Sequence, residues 1–314
     1  MRTSWRQVLT TAVLALLLLP WQALARDAFV PILYRVSDKD NSLYVLGSIH
    51  QLSEADAKLP KWMTDLFDKS VVSVFELPAK DLLANREEMV GQFLRYAYFD
   101  DGQRIQPLLK PRELEILRER MKAFGLPESN WQSMRPWLIG LLLEIETLSQ
   151  KGMQSEHGID LQLIKRGESM GKRQDALETV EDQIRALASS PMQEQIADLM
   201  EQLSPTGAGD ADLDAERMIL AWKMGDVAAM GTFEEQFRKQ YPRTHHAVMT
   251  ERNQRWIPKL RQYLDGRKSG NVMVVVGALH LIGDQGIIRL LQAQGYRVER
   301  VRAPGSVPAS RRRR

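Results

Sequence analysis

The sequence contains no cysteine, so it can form no disulfide, carries no thiol nucleophile and cannot be lipid-attached through a cysteine. Four well-known site motifs are also absent: the Gly-x-Ser-x-Gly nucleophile elbow, the phosphate-binding P-loop, the dinucleotide-binding Gly-x-Gly-x-x-Gly and the HExxH zinc motif. A chain of 314 residues is long enough to fold on its own hydrophobic core without disulfides. These absences direct attention to histidine and carboxylate chemistry.

Long hydrophobic runs are absent except near the N-terminus. There, Arg2 and Arg6 precede the apolar run Ala12–Leu19, and Ala23–Ala25 has the small-x-small pattern of a cleavage site. We therefore expect residues 1–25 to be a signal peptide, cleaved after Ala25. The alternative is a membrane anchor, but the run is shorter than the ~20 apolar residues of a spanning helix. The expected product is periplasmic or secreted, without stable membrane insertion after cleavage.

The charge balance argues against a nucleic-acid partner. The sequence has 43 Lys and Arg against 40 Asp and Glu, a net charge of +3. Six of the positive charges lie near the two ends, at Arg2, Arg6 and Arg311–Arg314, so the remainder has a small excess of acid. Nucleic-acid binding requires a basic face, which this composition does not supply. We expect one domain over residues 26–302, followed by a disordered basic tail at 303–314.

Three apolar runs end on residues that could perform chemistry. Val272–Val276 is followed by Gly277 and, three residues later, by His280, while Ser42–Leu46 is followed in the same way by Gly47 and His50. A third run, Val71–Phe75, ends directly on Glu76. Such dense runs are typical of parallel strands buried on both faces. Ligands of open α/β sheets bind beyond the carboxyl ends of the strands, so we expect His50, Glu76 and His280 to meet there.

The rest of the chain predicts an α/β (α+β) fold. Two β-rich runs between Pro31 and His50 predict a hairpin, and a β–α–β unit follows to Glu76. A second β–α–β unit is predicted from strand 272–276 to strand Tyr296–Val301, and a short strand within 171–178 ends on Glu178. Together they predict a small mixed, largely parallel central sheet built from both chain ends, with a large helical insert at about 80–265. The loop at 204–210 is a plausible hinge. The predicted helices are Leu52–Lys69, Leu82–Tyr98, Pro111–Phe124, Trp131–Leu148, Gly158–Met170, Glu181–Leu203, Leu213–Gly225, Val227–Lys239, Thr244–Leu264 and Gly286–Gln294.

His50, Glu76 and His280 form a candidate metal site. Imidazole and carboxylate ligands suit Zn, Mn, Co or Fe(II). Two histidines and one carboxylate leave coordination positions for water, as hydrolytic sites require. Gly47 and Gly277 are expected to allow a sharp turn with positive φ after each strand. The alternative is that each histidine is simply hydrogen-bonded and that Glu76 caps the following segment.

A second group of polar residues has possible roles at the same place. Glu178 could act as a fourth ligand, as a general base or merely as a helix cap. Arg252 could bind a substrate carboxylate or a developing oxyanion, or form an ion pair. Asn253 beside it and Asp160, near the start of its helix, are candidate substrate-binding residues. A pair of Ser48 with His50 is the remaining arrangement, although nothing in the sequence marks Ser48 as activated.

Several short motifs occur in one order along the chain. They are 47–50 (GSIH), 75–78 (FELP), 158–160 (GID), 171–172 (GK) with 177–179 (LET), 251–253 (ERN) with Trp256, 276–283 (VGALHLIG) and 295–298 (GYRV). Over about residues 30 to 301 the chain resembles the TraB/GumN family, relatives of the Tiki proteins. The resemblance implies a metal-dependent, peptidase-like fold, since in Tiki proteins Mn or Co supports cleavage of a peptide near its N-terminus. It also implies that His50, Glu76 and His280 are the metal and catalytic residues.

The expected function is therefore that of an exported metal-dependent hydrolase acting on a peptide or another small acyl substrate. Its expected cofactor is a divalent metal: Mn, Co or Zn. Glu76, Glu178 and Arg252 are the expected catalytic residues. Because some relatives in the wider superfamily bind haem or act as esterases, two alternatives stay open. One is a haem- or metal-binding periplasmic protein without catalysis, and the other is a non-catalytic envelope protein.

Overall fold

The structure is a computed structural model that describes residues 29–100, 102–203, 215–266 and 270–303, with the backbone alone for residue 86. The predicted signal peptide at 1–25, the predicted loop at 204–210 and the tail beyond residue 303 lie outside the described residues. Within the described ranges, no helix is both long and apolar enough to cross a bilayer.

A six-stranded mixed sheet forms the centre of the protein, with the strand order β4-β3-β5-β2-β1-β6. Four neighbouring strands, β4, β3, β5 and β2, are parallel, whereas β1 pairs antiparallel with both β2 and β6. The predicted mixed, largely parallel sheet is thus confirmed. The strands are β1 Leu33–Ser37, β2 Ser42–Ser48, β3 Val72–Phe75, β4 Gln174–Ala176, β5 Val272–Gly277 and β6 Arg297–Arg300.

Strand β5 lies between β2 and β3, although about 200 residues or more separate it from each of them in the chain. Its first five residues are buried, which explains their unbroken apolar character. Neither predicted β–α–β unit joins neighbouring strands: β5 fills the gap between β2 and β3, while β2 and β1 separate β5 from β6. As a result, the carboxyl ends of β2, β5, β3 and β4 lie side by side at one edge of the sheet.

Helices surround this sheet, and proline fixes several of their bounds. The predicted helix 52–69 begins only at Lys61, directly after Pro60, and the predicted helix 181–203 is divided just before Met192, where Pro191 lacks an N–H. A π-helical segment, His246–Glu251, joins the helix Pro242–His245 to the helix Arg252–Asp265. The 3₁₀ turns are Gln106–Leu108, Ser155–His157 and Ala278–Leu281. The α-helices are α1 Lys61–Lys69, α2 Ala79–Leu83, α3 Arg86–Ala97, α4 Pro111–Ala123, α5 Glu128–Trp131, α6 Pro136–Gln150, α7 Ile159–Ser169, α8 Val180–Ala188, α9 Met192–Leu203, α10 at 215–223, α11 Val227–Gln240, α12 Pro242–His245, α13 Arg252–Asp265 and α14 Ile287–Ala293.

Most of the buried hydrophobic residues in the described part of the chain form two cores. The larger one surrounds the sheet and includes the fully buried Trp222 and Trp256. The smaller one includes the fully buried Trp131, and its buried residues all lie within residues 97–203. The predicted insert therefore has a core of its own, but it also returns to the sheet: β4 pairs with β3, and α7 and α13 contribute Ile164 and Trp256 to the larger core.

Candidate active site

Four of the predicted site residues lie just beyond the ends of the four parallel strands. His50 follows β2, Glu76 follows β3, Glu178 follows β4, and His280 lies in the 3₁₀ turn after β5. Because these strands are adjacent and parallel, their carboxyl ends bring side chains from four distant parts of the chain to one edge.

The glycine at the end of β5 marks the point where the predicted metal ligands meet. A Cβ atom placed on Gly277 would lie 3.3 Å from Glu76 Oε1, 3.5 Å from His50 Nε2 and 3.6 Å from His280 Cδ2. The expected positive φ is wrong, because φ of Gly277 is −51° and Gly47 also lies outside the left-handed region. Close packing is the reason for both glycines: a Cβ on Gly47 would come 3.0 Å from the Cα of Ala278.

His50 is oriented by the N-terminal turn of α7. Its Nδ1 lies 3.0 Å from Asp160 Oδ1, so it donates a hydrogen to the carboxylate and directs Nε2 toward Gly277. The pKa of His50 is raised to about 9, chiefly by the negative charge of Asp160. The hydrogen bond from His50 to Asp160 and the charge of Glu76 act in the same direction, and together they outweigh desolvation, which lowers the pKa. Gly158 permits this approach, because a Cβ there would lie only 2.2 Å from the His50 carbonyl oxygen.

His280 is buried and held in one tautomer. The side-chain amide of Asn253 donates to the backbone carbonyl of Gln285 over 2.8 Å, so its Oδ1 must face His280 Nδ1, 2.7 Å away. Nδ1 consequently carries the hydrogen and Nε2 keeps its lone pair. Burial, together with the positive charge of Arg252, lowers the pKa of His280 to about 3, so the ring is neutral. The ring packs on Trp256, with 4.5 Å between centroids.

Glu76 is a buried carboxylate with three hydrogen-bond donors. Oε1 accepts from the backbone N–H of Gly277 over 2.6 Å, and Oε2 accepts from Arg252 over 2.7 Å and from Gln183 over 3.3 Å. Burial alone would raise the pKa of Glu76. His280, which is protonated only in the acid range where Glu76 titrates, the charges of Arg252 and His50, and the Gly277 N–H together lower this pKa to about 2. Glu76 is therefore ionised at every physiological pH.

Arg252 joins the two carboxylates, and it is buried with only 4% of its surface exposed. Nε and Nη2 both donate to Glu178 Oε1, over 2.9 and 2.7 Å, while Nη2 also donates to Glu76. Nη1 donates to the Val248 carbonyl over 3.1 Å and to His280 Nε2 over 3.2 Å. A guanidinium has five N–H donors, and all five are used here. None is left for a substrate oxyanion, so in this arrangement Arg252 holds the carboxylates in place.

Glu178 lies behind this arginine, away from solvent. Its second oxygen accepts from the Trp256 indole N–H over 3.1 Å, which pins it further. Burial raises the pKa of Glu178 above its ordinary value, although Arg252 opposes that shift. The environments of Glu76 and Glu178 thus push their pKa values in opposite directions, a pattern seen where two carboxylates have separate roles. The helix-capping alternative does not apply, because Thr179 caps α8.

An open cleft of about 330 Å³ lies beside these groups. His50, Glu76 and Asp160 line it, whereas Glu178, Arg252, Asn253 and His280 do not. Asn253, a predicted substrate-binding residue, lies outside this lining and orients the His280 ring. The other polar residues of the wall are Ser48, Ser155 and Gln183.

Ser48 is a cleft residue to which the sequence pattern assigned little importance. It is 1% exposed, lines the cleft, and its Oγ has no hydrogen-bond partner in the described part of the chain. Residues two apart in a strand face the same side, but β2 ends at Ser48, so this spacing does not fix where His50 lies relative to Ser48.

The donor atoms of the predicted metal ligands are of the types that bind divalent metals, but their spacing in the structure is not that of a metal site. Among the described residues, no group of three or more His, Asp or Glu side chains is spaced to hold an ion. The chemistry of the set nevertheless fits: both histidines donate Nδ1–H to an oxygen acceptor, which is how metal-ligating imidazoles are commonly held. The remaining obstacle is Arg252, whose N–H groups contact His280 Nε2 and Glu76 Oε2.

Comparison with known proteins gives consistent matches across the described chain. The sequence profile of the TraB/PrgY/gumN family matches residues 32–300. The uncharacterized protein YbaP of Escherichia coli K12 is 25% identical over 254 residues, which are 79% of this chain and 87% of YbaP. The metalloprotease TIKI homolog of Amphimedon queenslandica is 24% identical over 213 residues, 60% of this chain and 41% of that protein. Metalloprotease TIKI1 of Danio rerio is 22% identical over 323 residues, 87% of this chain and 63% of that protein. This chain therefore covers less than two thirds of either metalloprotease.

Proposed function

This chain belongs to the TraB/PrgY/gumN family, and from that premise we propose that it is an exported metal-dependent hydrolase that cleaves a peptide or a related small acyl substrate. The family resemblance inferred from the sequence motifs is confirmed. The observation that carries the proposal is the meeting of His50 Nε2, Glu76 Oε1 and the His280 ring around Gly277, next to an open cleft. The distant similarity to two metalloproteases supports the same chemistry.

His50, Glu76 and His280 are the residues that would hold the metal, and Mn, Co or Zn would suit their nitrogen and oxygen donors. A bound divalent ion would supply Lewis acidity, lowering the pKa of water and polarising the scissile carbonyl. For His280 to contribute Nε2, Arg252 must first withdraw the N–H that now contacts it. Asp160 and Asn253 keep the two imidazoles in the required tautomer throughout.

Glu76 and Glu178 have different roles in the proposed reaction. Glu76 lines the cleft and is the nearer acceptor for a proton from the attacking water. Glu178 has the more basic environment but is separated from the cleft, so its main task is to position Arg252. When Arg252 withdraws from His280, its Nη1 becomes free to stabilise negative charge on the substrate.

Binding without catalysis is the alternative function. A haem held by axial histidines finds little support in the geometry, because the His280 ring is buried against Trp256 and does not line the cleft. A metal-binding protein without catalysis would use the same ligands, so only an activity measurement separates it from the hydrolase.

The proposal is tested by metal analysis of the protein lacking residues 1–25. After dialysis against Mn, Co and Zn, wild type should retain about one ion per chain and the His50→Ala/His280→Ala double variant none. His246→Ala is the matched control, because the His246 side chain is 59% exposed, similar to the 61% of His50, and also pairs with a carboxylate. Equal metal in wild type and the double variant would refute the site.

Hydrolysis is then measured with a peptide library and the retained metal. Glu76→Gln should abolish cleavage, since it removes the carboxylate that is proposed to hold the metal and to accept the proton from water. Metal retention without cleavage of any library member would favour the metal-binding alternative.

Export is a separate part of the proposal, supported by the sequence of residues 1–25. In a bacterial host, mass spectrometry of the periplasmic fraction should find a chain that begins at Arg26. Recovery of the uncleaved chain from the cytoplasm would contradict it.

A further inference from the structure

The cleft has one polar side and one apolar side. His50, Glu76 and Asp160 form the polar side. The apolar side comes from Leu77 at the end of β3, Leu82 on α2, Met89 on α3, and Leu161 and Ile164 on α7. The helical insert thus supplies most of the surface that faces the catalytic edge of the sheet.

The charges in the cleft are already matched within the protein. Asp160 pairs with His50 at 3.0 Å, and Glu76 pairs with Arg252 at 2.7 Å. No lysine or arginine lines the cleft among the described residues. A ligand carboxylate would therefore meet two carboxylates and one cation, His50, that Asp160 already neutralises, while a ligand ammonium would find no carboxylate without a counter-charge.

The size of the cleft restricts the ligand further. A volume of about 330 Å³ is at the lower end of the range for small-ligand pockets, roughly 300–1,000 Å³. It is suited to one or two residues of an extended substrate rather than to a folded partner.

We propose that this cleft is a specificity subsite for an uncharged aliphatic acyl residue, such as leucine or methionine, next to the bond that is cleaved. The inference rests on the proposed function and refines it, because it names the substrate class. The apolar side chain would pack against Leu82, Met89 and Leu161, and the adjoining amide would face His50 and Glu76. Burying an aliphatic side chain there should improve affinity about tenfold or more over a charged one.

The test uses metal-free protein lacking residues 1–25, so that binding is observed without turnover. The Met89 methyl group serves as a ¹³C NMR reporter, assigned by the Met89→Leu variant. Titration with N-acetyl-leucinamide should shift this signal at about tenfold lower concentration than N-acetyl-lysinamide or N-acetyl-aspartamide. Equal affinities for the three amides, or a Met89 signal that leucinamide leaves unchanged, would overturn the inference.

Variants at the apolar wall sharpen the result. Leu82→Glu should reverse the preference from leucinamide to lysinamide, a gain that an unfolded variant cannot show. Val90→Glu is the control, because Val90 follows Met89 directly, is 47% exposed and does not line the cleft. Should Leu82→Glu fail to fold, Leu82→Ala should weaken leucinamide binding about tenfold while Val90→Ala leaves it unchanged. Unchanged binding in Leu82→Ala would refute the subsite.

These outcomes separate the subsite from the reaction. Leucinamide binding with no hydrolysis by any metal form would leave the subsite standing and refute the hydrolase. Hydrolysis that shows no preference among aliphatic and charged residues would support the hydrolase and refute the subsite.

Discussion

Replacing Arg252 by alanine should be among the most destabilising single changes at this site. The guanidinium is the hydrogen-bonded counter-charge of both Glu76 and Glu178, whose side chains are only 8% and 3% exposed. At about 4 Å and an effective dielectric constant near 20, each pair is worth about 4 kcal/mol before desolvation is subtracted. Removal of one partner of a buried ion pair typically costs about 3–5 kcal/mol, because a buried charge is left uncompensated.

The expected loss is therefore about 3–5 kcal/mol in the free energy of unfolding at pH 7. It is measured by urea denaturation. Since each kcal/mol lowers Tm by about 2–4 °C in a protein of this size, a fall in Tm of about 10 °C is the second readout. Arg255→Ala is the control: Arg255 lies on the same helix, 3.9 Å from Glu178 Oε2, but is 50% exposed, so its loss should cost about 1 kcal/mol or less.

The loss should also depend on pH in a defined direction. The folded pKa of Glu76, about 2, lies below its ordinary value of 4.5. Its ionised form therefore stabilises the fold above pH 4.5, and this contribution disappears as the pH falls through 2. Without Arg252 the ionised Glu76 stabilises the fold less. The difference in the free energy of unfolding between wild type and the Arg252→Ala variant should therefore be largest near pH 7 and shrink below about pH 4.5. A loss under about 1 kcal/mol at pH 7, or one that grows in acid, would refute the assigned role of Arg252.

Three further changes test neighbouring contacts. Asp160→Asn in metal-free protein should lower the pKa of His50 from about 9 toward 6.5, as measured by NMR titration, and an unchanged pKa would contradict the pairing. The greater folding stability of wild type, about 1 kcal/mol or less, should be fully present below pH 6.5 and lost above pH 9. Gly277→Ala places a methyl group 3.3–3.6 Å from the three proposed ligand side chains and should reduce the metal retained, as measured by elemental analysis. Gly91→Ala, with open space in α3, should retain metal and raise stability by about 0.5–1 kcal/mol. Ser48→Ala removes a buried hydroxyl that lacks a hydrogen-bond partner among the described residues. It should leave the free energy of unfolding in urea unchanged or raise it by about 1 kcal/mol, and any decrease would show that Ser48 has a partner.

Much of the site could be predicted because local pattern and site chemistry coincide at the strand ends. The apolar run before Gly277 identifies a strand buried on both faces, and parallel strands bring the residues just beyond their carboxyl ends to one edge of the sheet. His50, Glu76 and His280 were therefore expected to meet, and in the structure they do, around Gly277. Even Glu178, at the end of the three-residue strand β4, was placed at this edge by its position after a strand.

Other predictions failed for physical reasons that local patterns do not contain. The glycines were expected to allow positive φ, but in the structure they permit close packing, Gly47 against Ala278 and Gly277 against the side chains of Glu76 and the two histidines. That role depends on contacts between segments about 200 residues or more apart, which periodicity does not report.

The sequence by itself determined the strand ends, the polar residues that follow them and the family, because burial patterns and motifs are local properties of the chain. The tertiary structure alone decided that β5 enters between β2 and β3, and that all five N–H groups of Arg252 are taken by groups within the protein. It also decided that Asp160 and Asn253 fix the tautomers of the two histidines. Hydrogen bonds between side chains depend on distances of a few tenths of an ångström, and only the packed fold sets those distances.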